Sequence, residues 1–165
     1  MKPIISILVL GMCLFLVSCD DKDPQPPSPD PSTSKISTDG CKQFKESTRA
    51  GKDDCFEYTY DGSNTLSITH INAAFNCCPG ELTAHSKVAN GTIKIEEKET
   101  EAQCFCNCLY DLTYKISNIT PGKYTLKVIE PYVDSNSDQL EFTVDLTSST
   151  SGTYCVNRTT YPWGF

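Results

Sequence analysis

Five of the ten cysteines in the sequence lie close together in two short groups. The first group is the pair Cys77 and Cys78, and the second is the alternating set Cys104, Cys106 and Cys108. Residues two apart in a strand face the same way at about 6–7 Å, too far for the alternating cysteines to bridge one another easily. The sequence therefore predicts at least one disulfide between the two groups.

The same thiols offer a second chemistry, the binding of a soft metal ion. Thiolates select zinc or copper(I), and a nearby imidazole could complete the ligand set. The candidate metal ligands are Cys77, Cys78, Cys104, Cys106, Cys108 and His70. An oxidising compartment and the lack of paired Cys-x-x-Cys motifs argue against this site. Disulfides without a cofactor are the prediction, and zinc or copper binding is the alternative.

The N-terminus predicts export. An almost uninterrupted apolar stretch, residues 4–17, follows a single lysine, and it is too short to span a bilayer, which takes roughly 20 apolar residues. The stretch ends in Leu16-Val17-Ser18-Cys19, which resembles the bacterial lipobox. The resemblance implies that residues 1–18 are a lipoprotein signal peptide. It also implies that Cys19 is acylated, with chains such as palmitate that anchor the protein to a membrane.

A spacer separates this anchor from the folded part. Asp20-Asp21-Lys22-Asp23 is similar to the export signal of surface lipoproteins in Bacteroidetes-type bacteria, which implies an outer-membrane lipoprotein displayed on the cell surface. Proline, serine, threonine and aspartate dominate the sequence that follows, and such a composition cannot form a packed core. We therefore expect a disordered linker over residues 19–39 and one folded domain over residues 40–165.

The charge of the mature chain argues against nucleic acid as a partner. The full sequence has a net charge of −7, and residues 1–18 contain one lysine and no acidic residue, so cleavage lowers the net charge to −8. Nucleic-acid phosphates are bound by basic surfaces instead. The expected partners are the membrane, through the lipid anchor, and a protein or a glycan.

Eight cysteines remain once Cys13 leaves with the signal peptide and Cys19 is acylated. An even number in an exported chain predicts a disulfide-stapled domain, because the periplasm and the cell surface are oxidising. The eight are Cys41, Cys55, Cys77, Cys78, Cys104, Cys106, Cys108 and Cys155. The sequence alone does not choose among their pairings.

Strand signals recur along the domain, and helix signals are scarce. Asn90-Gly91 is typical of a two-residue hairpin turn, so residues 82–88 and 92–98 are expected to pair antiparallel. Residues 106–116 alternate between apolar and polar side chains, which places one face of this strand on the core. The remaining strands are expected over residues 56–60, 65–76, 139–146 and 153–161.

A corner motif narrows the fold class. Residues 119–126 read Ile-Thr-Pro-Gly-Lys-Tyr-Thr-Leu, which resembles a corner of immunoglobulin-like and fibronectin-type sandwiches. In those folds a tyrosine, here Tyr124, closes the start of a late strand. The prediction is an all-β protein with a single immunoglobulin-like or fibronectin-type β-sandwich, stapled by disulfides.

Acidic stretches and the two histidines carry weaker signals. Residues 134–138 resemble the first half of a calcium loop, but Gln139 stands where such a loop needs glycine, so a solvated turn is predicted. Neither His70 nor His85 lies in a recognisable catalytic motif, and no enzymatic activity is predicted. A run of acidic residues is expected to face water at the edge of a hairpin. That run is Glu96, Glu97, Glu99 and Glu101.

An aromatic cluster closes the sequence. Tyr161, Trp163 and Phe165 could stack against sugar rings, as aromatic side chains do in carbohydrate-binding modules. They could equally pack on the core at the end of a terminal strand. Core packing is the prediction, and glycan binding is the alternative.

Several segments together resemble uncharacterised cysteine-rich lipoproteins of Bacteroidetes. The likeness runs through Tyr60-Asp61-Gly62, His70-Ile71-Asn72-Ala73, Asn76-Cys77-Cys78-Pro79, Cys106-Asn107-Cys108-Leu109-Tyr110-Asp111 and Pro121-Gly122-Lys123-Tyr124. It implies an envelope or surface location and a similar fold, without naming an activity. The expected function is a membrane-anchored structural or interaction module. The alternatives are a thiol-based metal-binding protein and a glycan-binding accessory lipoprotein.

Overall fold

The computed structural model describes residues 29–42 and 53–163, and their regular secondary structure consists of ten strands. The strands are β1 (Ser32–Thr33), β2 (Ser37–Thr38), β3 (Asp53–Tyr60), β4 (Leu66–Asn76), β5 (Leu82–Ala89), β6 (Thr92–Glu99), β7 (Asn107–Ser117), β8 (Lys123–Ile129), β9 (Glu141–Asp145) and β10 (Ser151–Asn157). The all-β prediction is therefore confirmed. None of the described residues forms a helix long and apolar enough to cross a membrane.

The strands form two sheets. The first has the order β1-β7-β4-β3-β10, with β2 also paired to β7, and all of its pairs are antiparallel. The second has the order β5-β6-β8-β9, in which β6 and β8 run parallel and the other pairs antiparallel. Alternating burial along β3 and β6 leaves every second side chain on an inner face, as the period of a strand requires.

The hairpin between β5 and β6 confirms a prediction made from its turn. Asn90 and Gly91 have positive φ values of 50° and 72°, and Ala89 pairs with Thr92 directly beside them. Asparagine and glycine tolerate this left-handed conformation better than other residues. The turn therefore fixes the register in which β6 presents its inner side chains.

The core lies between the inner faces of the two sheets. Each fully buried large apolar side chain contributes about 1.5–3 kcal/mol relative to exposure, so this layer is the main source of stability. The first sheet supplies Phe56, Leu66, Ile68, Leu112 and Tyr114, and the second supplies Ile93, Ile95, Leu126 and Val128, all at most 2% exposed.

The N-terminal part of the described chain differs from its prediction. Residues 29–39 were expected to belong to a disordered linker, yet β1 and β2 both pair with β7. Ile36, the one large apolar residue of the segment, is 9% exposed and belongs to the core. The segment also contacts the second sheet, since the hydroxyls of Thr33 and Ser86 lie 2.8 Å apart. An extended Ser/Thr segment can satisfy the edge of β7 through its backbone, which composition alone does not indicate.

All eight domain cysteines lie in pairs at disulfide distance. The pairs are Cys41–Cys108, Cys55–Cys155, Cys77–Cys106 and Cys78–Cys104. Two of them join Cys77 and Cys78 to the alternating group, as the sequence predicted. The sulfur of Cys108 also lies 2.7 Å from that of Cys77, so two of the bridges touch.

Candidate functional site

A group of charged side chains lies inside the molecule, between the sheets. Asp54 on β3, His70 on β4 and Glu97 on β6 project inward, and Glu130 and Arg158 follow the ends of β8 and β10. Each of the five is at most 8% exposed. Charged residues are rarely buried unless they are paired, so we treat these five residues, called the buried ion cluster below, as the candidate site.

His70 bridges the two sheets through both nitrogens of its ring. Nε2 lies 2.7 Å from Oδ1 of Asp54, and Nδ1 lies 2.8 Å from Oε2 of Glu97. Burial by itself disfavours a charged ring, but the Glu97 and Asp54 carboxylates outweigh it and hold the pKa of His70 well above its usual range. With a carboxylate oxygen at each ring nitrogen, both contacts are hydrogen bonds only when the ring is charged and donates from both nitrogens.

Arg158 closes the opposite side of the cluster. Its Nε and Nη2 atoms donate to Oδ2 of Asp54 at 2.8 and 2.7 Å, and Nη2 also lies 2.9 Å from Oε2 of Glu130. Nη1 donates to the carbonyl of Asp138, and the guanidinium lies 5.5 Å from the ring centre of Trp163. A planar guanidinium is suited to two carboxylates and an aromatic face at once.

The position of Trp163 depends on an irregularity in β4. The pairing of β4 with β7 shifts between Ile71 and Ala73, and Asn72 there has a positive φ of 65°. The bulge leaves the carbonyl of Asn72 free to accept the indole N–H of Trp163 at 2.9 Å. Bulges are typical of places where a strand must redirect its groups, and this one lies two residues from His70.

Glu130 is the member of the cluster with an unsatisfied atom. Among the described residues, its Oε1 is the buried side-chain oxygen that has no hydrogen-bond partner. Burial raises the pKa of Glu130 to about 8, and the attraction of His70 and Arg158 offsets this only in part. Oε1 lies 3.9 Å from Nε2 of His70, on the side of the ring that faces Asp54.

The prediction that Glu97 faces water is wrong. The whole acidic run at the end of β6 and just beyond it was expected in water, but Glu97 is 1% exposed, whereas Glu96 and Glu101 face solvent wholly or in part. Alternation carries Ile93, Ile95 and Glu97 to the same inner face, and the Tyr114 hydroxyl donates to Glu97 at 2.7 Å. Counting the strand period from the two isoleucines would have found this residue.

The cysteines and His70 do not meet. All eight cysteines are paired, and the ring nitrogens of His70 contact Asp54 and Glu97, not sulfur. The six residues considered for a zinc or copper site are therefore not assembled as one ligand set. No local motif around His70 indicated these partners, because Asp54 and Glu97 lie 16 and 27 residues away on other strands.

The C-terminal aromatic residues separate into different environments. Trp163 is 1% exposed, which rules it out as a sugar-stacking surface and agrees with core packing. Tyr161 is 56% exposed, and its hydroxyl bonds to the backbone nitrogen and oxygen of Asn107 at 2.9 and 2.8 Å. Phe165 lies outside the described residues, as does the predicted lipidation site Cys19.

Phe105 is an exposed aromatic residue that the sequence analysis passed over. It is fully exposed, and its neighbours Cys104 and Cys106 are bridged to Cys78 and Cys77. Two disulfides therefore fix the chain on either side of a side chain that has no contact with the core. The position of an aromatic residue between two cysteines was the sequence feature that could have indicated an exposed, fixed side chain.

The remaining predicted sites and the surface grooves lie elsewhere. Residues 134–138 form a turn in which the backbone N–H of Ser137 donates to the Asp134 carbonyl at 2.9 Å, as expected for a solvated loop.

Two open grooves of about 310 and 640 Å³ flank the N-terminal segment, and both include Lys35 and Leu82. No residue of the buried ion cluster lines either groove, so the grooves do not give access to it.

Comparison of the chain with protein-family models, with curated proteins and with solved structures finds no match.

Proposed function

We propose that this protein is an exported lipoprotein, anchored through Cys19 at the outer surface of the outer membrane, that acts as a structural or interaction module. The observation that carries the proposal is the exposure of Phe105 on a loop braced by two disulfides. The lipobox resemblance and the acidic residues after Cys19 support the anchor and the surface location.

The presentation of Phe105 fits a contact with a partner. Leaving a phenylalanine in water forgoes about 1.5–3 kcal/mol of burial energy, which a partner with an apolar pocket would recover. Aromatic anchors of this kind dominate the energetics of many interfaces. A loop that is already rigid loses little conformational entropy on binding, so the disulfides favour recognition as well as stability.

The second candidate function is glycan binding, now through different residues. Tyr161 is more than half exposed and its hydroxyl is held at Asn107, two residues from Phe105. Two aromatic side chains on one part of the surface suit stacking against a sugar ring. The candidate surface is therefore Phe105 with Tyr161, in place of the aromatic triplet that includes the buried Trp163.

We also propose that the two sheets are an immunoglobulin-like sandwich. The supporting observation is the hydroxyl of Tyr124, which donates to the carbonyl of Thr120 four residues upstream at 2.9 Å, next to the start of β8. A tyrosine at this place with this bond is typical of the corner in such sandwiches.

An enzymatic role is not part of the proposal. A histidine beside an aspartate could act as a general base, but His70 and Asp54 are both 0% exposed. A general base must come within hydrogen-bond reach of its substrate. The pair is therefore assigned to the ion pairs of the protein interior and not to catalysis.

Photocrosslinking on intact cells tests the proposal. A photoreactive phenylalanine analogue replaces Phe105, and the matched control carries it at Thr143, an exposed residue of β9 in the second sheet. We expect a discrete protein adduct from position 105 and none from position 143. A heterogeneous adduct that periodate destroys would favour the glycan candidate. Absence of any adduct at 105, or the same adducts from both positions, would contradict a role for this loop in binding.

A further inference from the structure

Three ligand atoms of the buried ion cluster converge from different parts of the fold. Nε2 of His70 lies 2.7 Å from Oδ1 of Asp54 and 3.9 Å from Oε1 of Glu130, and the three atoms lie within 4.8 Å of one another. One imidazole and two carboxylates are a ligand set that transition metals such as zinc accept. We propose that these three atoms form a site for one divalent transition-metal ion.

The two distances from Nε2 of His70 are close to what such an ion requires. Bonds from zinc to nitrogen and oxygen are about 2.0–2.2 Å, so ligand atoms around a tetrahedral ion are about 3.3–3.5 Å apart. The His70–Asp54 distance would have to widen and the His70–Glu130 distance to shorten, each by less than about 1 Å. Three protein ligands leave the fourth position for water.

The unpartnered Oε1 atom of Glu130 indicates that the cluster can bind a metal ion and is not only a set of ion pairs. The side chain of Glu130 is 3% exposed, and Oε1 is turned towards His70 with no hydrogen-bond partner. A buried carboxylate oxygen without a partner costs free energy that a metal bond would recover. The other oxygen of the same carboxylate is already occupied by Arg158.

The groups around the three ligand atoms are arranged as the outer shell of a metal site. Arg158 holds Oδ2 of Asp54 and Oε2 of Glu130, which are the oxygens that do not converge on the site. Glu97 accepts from Nδ1 of His70, and this leaves Nε2 as the ligating nitrogen. Metal-binding histidines usually donate their second N–H to a carboxylate in this way, and such partners orient the ligands.

The charges of the cluster also fit a divalent ion. Three carboxylates face two cations, His70 and Arg158, which leaves one negative charge unbalanced when all three are ionised. A ligating imidazole must be neutral and a ligating carboxylate ionised, so the Nε2 proton of His70 and any proton on Glu130 leave to solvent when the metal binds. Three carboxylates then face Arg158 and a doubly charged ion, and the buried site is neutral.

Zinc binding to the oxidised, full-length mature protein tests the site. The informative variant is Glu130→Gln, which keeps an oxygen for Arg158 and the size of the side chain. The matched control is His85→Asn, because His85 is exposed opposite Glu96 and could bind zinc at the surface. Equilibrium dialysis against Zn²⁺ is the measurement, with circular dichroism to establish that each variant is folded.

We expect one equivalent of zinc in the wild type and in His85→Asn, and at least tenfold weaker binding in Glu130→Gln. X-ray absorption should show nitrogen and oxygen ligands near 2.0–2.2 Å without the 2.3 Å sulfur shell of a cysteine site. No stoichiometric zinc in the wild type would overturn the proposal. Equal affinity in folded Glu130→Gln, loss of binding in His85→Asn, or a sulfur shell would each overturn it as well.

Discussion

The ring of His70, on β4, lies 2.7 Å from the carboxylate of Asp54, on β3, and neither side chain has any surface in contact with solvent. The contact joins neighbouring strands of the first sheet, and Glu97 extends it across the core to the second sheet. A charged connection of this kind makes the relative position of the two sheets depend on a few groups that must all be paired.

Removal of either partner should therefore destabilise the protein strongly. His70→Ala leaves Asp54 and Glu97 without the cation between them, and Asp54→Asn leaves part of the charge on His70 and Arg158 uncompensated. We expect each substitution to lower the free energy of unfolding by about 3–5 kcal/mol. Urea unfolding in the presence of a chelator measures this, so that bound metal does not contribute.

The surface histidine provides the control for this measurement. His85→Ala should change the free energy of unfolding by no more than about 0.5 kcal/mol, because surface substitutions away from special features have small effects. A loss below about 1 kcal/mol for His70→Ala, similar to that of the control, would mean that the cluster is solvated and does not hold the sheets together.

The disulfides should differ in how much each contributes to the free energy of unfolding. Cys55–Cys155 closes a loop with a sequence separation of 100, and Cys78–Cys104 one of 26. The entropic stabilisation grows with the logarithm of loop length. Replacing both cysteines of the longer bridge by alanine should therefore lower the free energy of unfolding by about 1 kcal/mol more than replacing both cysteines of the shorter bridge. Guanidinium unfolding of the two double variants makes the comparison, and a reversed order would show that strain or residual structure outweighs loop entropy.

The pairing itself can be checked by mass spectrometry of unreduced peptides. Because the Cys77 and Cys108 sulfurs lie 2.7 Å apart, the informative peptides are those that contain Cys41, Cys77, Cys106 and Cys108. The expected links are Cys41–Cys108 and Cys77–Cys106. Free thiols at these positions would contradict the disulfide account and return a thiol-based metal site to consideration.

Asp61 should make the stability of the β3–β4 turn depend on pH. Its Oδ1 accepts the backbone N–H groups of Ser63, Asn64 and Thr65 at 2.9, 2.9 and 3.0 Å, and these bonds lower the pKa of Asp61 well below its usual range. A lowered folded-state pKa gives stability above the unfolded pKa of about 3.9, and this stability is lost as the pH falls.

The test compares the wild type with Asp61→Asn, which keeps an acceptor oxygen but not the charge. We expect the wild type to melt at the higher temperature at pH 6 and the gap to narrow as the pH falls from about 4 towards 2. A gap that does not change with pH would show that the charge of Asp61 is unimportant for the turn.

Local patterns were enough to predict much of the fold but little of its interior chemistry. The Asn90-Gly91 turn and the alternation of β7 are signals contained in neighbouring residues, so the hairpin and the all-β class followed from the sequence. The partners of His70 lie 16 and 27 residues away in the chain, and only the three-dimensional structure brings them together. The same is true of residues 29–39, whose pairing with β7 depends on an edge that their own composition does not reveal.

Lipid attachment at Cys19 is the central claim about where this domain acts. The most direct measurement is protease digestion of intact cells that produce the wild type or Cys19→Ala, combined with mass spectrometry of the mature N-terminus. We expect an acylated Cys19, loss of the domain when protease is added outside the cells, and release of the Cys19→Ala protein from the membrane fraction. An unmodified N-terminus, or a domain that resists digestion until the outer membrane is opened, would contradict the account of a surface-anchored module.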